Sequence, residues 1–160
     1  MGGPGDDITA RTGPRGYVEP TFGQRLLARL ADALVLLPIL VPLSLVASGR
    51  LRVALVLAVG AAYEIGMVAR RGRTLGKSLF GTRIVDATYG DAPTPRQAGV
   101  RWLVLFGGGV AGLIDPAWAV LGSVTFVVSA VPILIPPFHQ GLHDHAAGTM
   151  VTAPSDPIIN

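Results

Sequence analysis

The sequence predicts an all-α membrane protein: a small bundle of four transmembrane helices, with three as the alternative, plus a short cytoplasmic β-pairing and an interfacial helix. Three observations predict it. Half of the 160 residues are hydrophobic and only 14% are charged, too few to give a soluble domain of this length a polar surface. Apolar runs reach the length of a bilayer span. The basic residues are bunched: seven of the thirteen Lys and Arg fall between Arg70 and Arg101, where the acids are Asp86 and Asp91.

Residues 1–22 are rich in Gly and Pro, with scattered charges of both signs. They have no apolar core to bury, so they are expected to be a flexible cytoplasmic tail and not a secretory signal peptide. The transmembrane domain is expected over 23–153, with a second flexible tail over 154–160. The first span is RLLARLADALVLLPILVPLSLVA, Arg25 to Ala47. As a helix it rises roughly 34 Å, enough to cross a hydrocarbon core of about 30 Å. Thr21 or Gln24 is placed to cap it. Pro38 and Pro42 each remove a backbone donor and predict a kink. Arg25, Arg29 and Asp32 are four and three apart, so they share one helix face. An acid about 10 Å inside the first arginine must face protein or water instead of lipid. It is either an Arg–Asp staple that fixes packing or part of a site that moves something.

Val53 to Ala69 forms a second apolar segment containing Glu64, six residues before Arg70. An antiparallel pair of helices places Glu64 and Asp32 at one depth, roughly 9–10 Å from the same interface. Asp32 and Glu64 are therefore the candidate ion or proton site. The competing reading has Glu64 reaching to the interface or pairing with Arg25 or Arg29. The basic stretch 70–101 is cytoplasmic by the positive-inside rule. Within it LGKSLF suits a helix in the headgroup plane, basic on one side, GTRIVDA a strand and TYGDAPTP a turn. Gly99 to Phe138 reads as a helical hairpin, Val100–Ile114 and Ala117–Ile135, with Asp115 at the outer turn. The rival is one tilted span with a buried Asp115. Gly107, Gly108, Gly109 and Gly112 give a small-residue face. Both termini are then cytoplasmic, and GTMVT at 148–152 repeats GTRIV at 81–85, so the two are expected to pair.

Several chemistries are excluded or weak. There is no cysteine, hence no disulfide or thiolate site. GRTLGKS is not a phosphate loop, because the glycines Gly72 and Gly76 enclose three residues where four are needed. His139, His143 and His145 with Asp144 suggest a metal, but the prolines and Gly141 argue against a long helix there. A structural His–Asp pair is the preferred reading, and no metal or cofactor is assigned. No nucleophile elbow or hydrolytic carboxylate pair is present, so no catalytic residue is assigned. The basic loop has few aromatics to stack on bases, which favours topology and anionic lipid over nucleic acid.

Three ordered motifs resemble the RDD family of bacterial integral membrane proteins, named for one Arg and two Asp. The first is Arg25, Ala28 and Asp32 in RLLARLAD. The second is Gly72, Thr74, Gly76 and Lys77, followed by GTRIVDA. The third is His143 and Asp144 followed by Ala147, Gly148, Thr149 and Val151. The resemblance implies that Arg25, Asp32 and Asp144 are the signature charges, with Arg29 and His143 supporting them. It implies a multi-pass protein of the bacterial plasma membrane, a transporter or transport subunit moving protons or small cations; because four short helices enclose little volume, a non-catalytic accessory or scaffold subunit is the alternative. Its partners are then the lipid bilayer and a homo-oligomer or a larger membrane complex. A fourth apolar segment is a departure from relatives with three spans.

Overall fold

Thr21 opens the first helix, α1 (Phe22–Val46), through a reciprocal cap: its hydroxyl accepts from the Gln24 amide, and the Gln24 side chain accepts from the Thr21 amide. The computed structural model describes residues 12–13, 17–118, 120, 124, 127–128 and 140–153. The helix continues through Pro38 and Pro42 to its C-cap at Ala47. α2 follows almost at once (Gly49–Arg71), four residues earlier and two residues longer at its far end than the apolar run suggests. Only 11% of the apolar window of each helix is buried inside the protein. A soluble core helix of such composition would be mostly covered, so these two helices are candidate membrane spans.

α2 ends at Gly72, which adopts a left-handed φ of 66°. Its amide closes the helix on Val68, and its carbonyl accepts the Ile84 amide at 2.6 Å. A Cβ there would lie 2.7 Å from the Ile84 carbonyl oxygen, so the turn requires glycine. The short helix α3 (Leu75–Leu79) is capped by Thr74. Strand β3 (Arg83–Asp86) then leads to α4 (Pro95–Ala111), α5 (Leu142–Ala147) and a closing strand (Thr149–Thr152).

The expected pairing of the two GT repeats is present. The closing strand runs antiparallel to β3, with Ile84 opposite Val151 and Val85 opposite Met150. Ile84 and Val151 join Val68 of α2 and Ala98 of α4 in one buried cluster. The strands therefore seal the charged end of the helices. Thr12–Gly13 pairs with Tyr17–Val18, and Val18 bridges to Ala153, so the segment expected as a free tail contributes backbone pairing from Thr12 onward. With these two short segments numbered β1 and β2, the closing strand is β4.

Two sequence expectations are corrected. α4 begins at Pro95 and not at Val100, because Thr94 and Gln97 form a second reciprocal cap with proline at the first helical position. This moves Arg101 from the first turn to nearly two turns inside the helix, where Ala98, Arg101, Trp102 and Leu105 make one buried stripe. α3 also turns its charge the other way. Lys77 is buried while Leu75 and Leu79 are exposed, since the ammonium finds a carboxylate inside. At the opposite end, Asp115 is exposed in the turn after α4, and the Ile114 carbonyl accepts from Arg50 at the start of α2. The expected fourth helix, 117–135, lies mostly outside the described residues, and so does the tail 154–160.

Candidate functional site: a layer of buried charges

α1 presents Ala28 and Asp32 as its buried residues, one turn apart, and α3 lies directly across them. The approach is so close that a Cβ at Gly76 would collide with the Ala28 carbonyl oxygen and sit 2.7 Å from the Asp32 amide nitrogen. Glycine at 76 is a steric requirement. It lets the Gly76 amide donate to Asp32 Oδ1 at 2.7 Å. The Tyr63 hydroxyl donates to the same oxygen at 2.7 Å, and the Thr74 hydroxyl to Oδ2 at 2.7 Å. Lys77 Nζ stands 3.7 Å from Oδ2. The carboxylate is thus surrounded by donors from α2 and α3. Tyr63 also accepts from the Leu75 amide, tying α2 to the first turn of α3.

The arginines one and two turns before Asp32 were expected to hold it, and they do not. Helical side chains lean toward the N-terminus, so the long stem of Arg29 carries its guanidinium away from Asp32. It meets Glu64 on α2 at 3.0 Å. Arg25 donates to the Pro20 carbonyl. Asp32 and Glu64 line one cavity of about 240 Å³, yet each has its own cation and they are not a paired-acid site. Glu64 Oε1 is buried with no hydrogen-bond partner among the described residues.

The second signature acid, Asp144, is fully buried on α5. It forms an ion pair with Arg101 of α4, the last residue of the basic stretch 70–101. Thr149 of β4 donates to Asp144 Oδ1 at 3.2 Å, and His143 Nε2 lies 3.4 Å from Oδ2. Burial, reinforced by Arg101, pushes the His143 imidazole down to about 2, so the ring is neutral. Burial and then the nearby Arg29 guanidinium bring the Lys77 ammonium down to about 7.

Sequence reasoning missed Tyr63 and the pairing of Arg101, and it gave Thr149 only as a motif position. The Thr94-Pro95-Arg96-Gln97 signature could have started α4 early enough to place Arg101 two turns inside it. Nothing local marks Tyr63, whose partners lie on other elements. Among the described residues no group of His, Asp and Glu is arranged to hold a metal ion. His139 lies outside them. A family model for the RDD family matches residues 19–148. No curated protein and no solved structure matches the chain.

Proposed function

The chain belongs to the RDD family, and from that premise we propose that it is a non-catalytic accessory subunit of a larger complex in the bacterial plasma membrane. The observation that carries this reading is the occupancy of Asp32. Its oxygens accept from Tyr63, Thr74 and Gly76 and face Lys77, all from its own chain. A carboxylate so engaged acts as a latch that fixes α3 to α1, in place of a site that loads and releases a cation. Arg101 and Asp144 latch α5 to α4 in the same way. The product is a rigid cap of α3, β3–β4 and α5 on apolar helices, a shape suited to docking.

The cap is cytoplasmic in this reading, with both termini on that side, because Arg70, Arg71 and Arg73 are exposed at the end of α2. Four spans are supported by the Arg50–Ile114 bond, which carries α4 across the same layer as α2 before the turn at Asp115.

A second reading keeps transport and moves it to Glu64. Its free Oε1 lines the first cavity, and Arg29 lines both that cavity and a second one. A guanidinium that swung between them would expose Glu64 to each in turn. Two measurements separate the readings. Native mass spectrometry of protein extracted gently from its own membranes should give a hetero-complex of fixed stoichiometry. Purified protein in vesicles should move no sodium, potassium or lithium against a proton gradient. Proton-coupled flux that Glu64→Gln abolishes would overturn the accessory reading.

A further inference from the structure

The second cavity, about 250 Å³, opens between α1, α3, α4, α5 and β4 at the charged end of the helices. Its walls carry four cations, Arg25, Arg29, Lys77 and Arg101, against the single carboxylate of Asp144. Three of these cations have acidic partners: Arg29 has Glu64, Lys77 has Asp32 and Arg101 has Asp144. Arg25 forms no ion pair among the described residues. Glu19 acts on it only at longer range and does not line the cavity.

Three buried polar atoms of the lining residues lack hydrogen-bond partners among the described residues: Arg101 Nε, His143 Nδ1 and Asp144 Oδ2. Arg101 is 3% exposed and His143 6%. An unpaired buried donor is costly unless something fills its place. A cavity whose lining carries four basic side chains, one carboxylate and an unused guanidinium N–H matches an oxyanion. With the Nε2 of the neutral His143 ring turned to Asp144, Nδ1 remains as an acceptor for a hydroxyl.

The remaining walls are apolar. Leu26, 47% exposed, lines the cavity, and Leu30, 52% exposed, follows one turn further into the membrane on the same face of α1. A free phosphate ion has no use for such a ramp, whereas the acyl chains of a lipid do. We propose that this cavity seats the phosphodiester of an acidic glycerophospholipid, with Arg25 and Arg101 Nε facing the phosphate and the lipid chains running over Leu26 and Leu30. The inference goes beyond the accessory reading and is independent of it, since the seat requires only a membrane-embedded chain.

The test uses the full chain in detergent, with phosphatidylglycerol, phosphatidylcholine or inorganic phosphate added at constant ionic strength. Phosphatidylglycerol should raise the melting temperature and remain bound in native mass spectra at one molecule per chain. Phosphatidylcholine and inorganic phosphate should do neither. Arg25→Gln breaks no ion pair among the described residues and should fold, while its preference for phosphatidylglycerol over phosphatidylcholine falls about tenfold. Arg70→Gln, an exposed charge outside the cavity, should leave that preference unchanged. Equal stabilisation by inorganic phosphate would overturn the lipid as the source. Full selectivity in Arg25→Gln, or equal losses in Arg25→Gln and Arg70→Gln, would overturn the seat itself.

Discussion

Adding one methyl group at residue 76 should unseat α3. In Gly76→Ala the new Cβ meets the Ala28 carbonyl and the backbone and carboxylate of Asp32, and none of these is the far end of a flexible side chain. Overpacking of this kind costs about 1–3 kcal/mol. Displacing α3 also breaks the Gly76 amide bond to a carboxylate, worth about 1.5–3 kcal/mol. The better helix propensity of alanine returns up to about 1 kcal/mol, leaving a net loss of about 1.5–6 kcal/mol. Gly66→Ala is the matched control. It makes the same change inside α2, where a Cβ meets nothing within 4 Å, and should stabilise by about 0.5–1 kcal/mol. Thermal melts of the full chain in detergent, followed by tryptophan fluorescence, should move in opposite directions for the two variants. Hydrogen exchange at Gly76 and Lys77 should speed up only in the first. If Gly76→Ala melts with the parent and keeps its amide protection, the close approach of α3 to α1 is not what seats Asp32.

Removing one member of the second latch should cost more than removing both. Arg101→Gln leaves the fully buried Asp144 without its cation, a loss of about 3–5 kcal/mol. The double variant Arg101→Met with Asp144→Leu should recover most of it; a double variant no more stable in denaturant titration than the single one refutes an isolated pair. Stability should also depend on pH through Lys77. Its folded value, about 7, lies below its ordinary 10.5, so the unfolded chain binds more protons between the two. Stability therefore rises with pH across roughly 7 to 10.5, and the Lys77→Met variant should lose that rise. A slope that survives in Lys77→Met assigns it to another group.

The buried acids were legible because a carboxylate inside an apolar run has few places to go. Asp32, Glu64 and Asp144 are all buried. Their partners were not legible, because contact across helices depends on which face each helix turns inward. Asp32 is bound by residues 31 to 44 positions later in the chain. Proximity in sequence favoured Arg29, but side-chain direction on a helix decided against it. The β3–β4 pairing could be anticipated because both segments carry GT followed by alternating Ile, Val or Met. The start of α4 was lost by treating Thr94 and Pro95 as a loop, when the same residues cap and open a helix. That misplacement left Arg101 in the first turn of the helix, without the buried stripe of Ala98, Trp102 and Leu105 that marks its face.

The Arg101–Asp144 latch also imposes an order in time. Synthesis runs from the N-terminus, so α4 leaves the ribosome before the carboxylate that neutralises it. β3 likewise waits for β4. A chain halted before residue 144 would strand a guanidinium in an apolar seat, at a cost of several kcal/mol, beside a strand with no mate. Half-made copies would thus betray themselves to membrane proteases by their own electrostatics, while finished ones close over the fault.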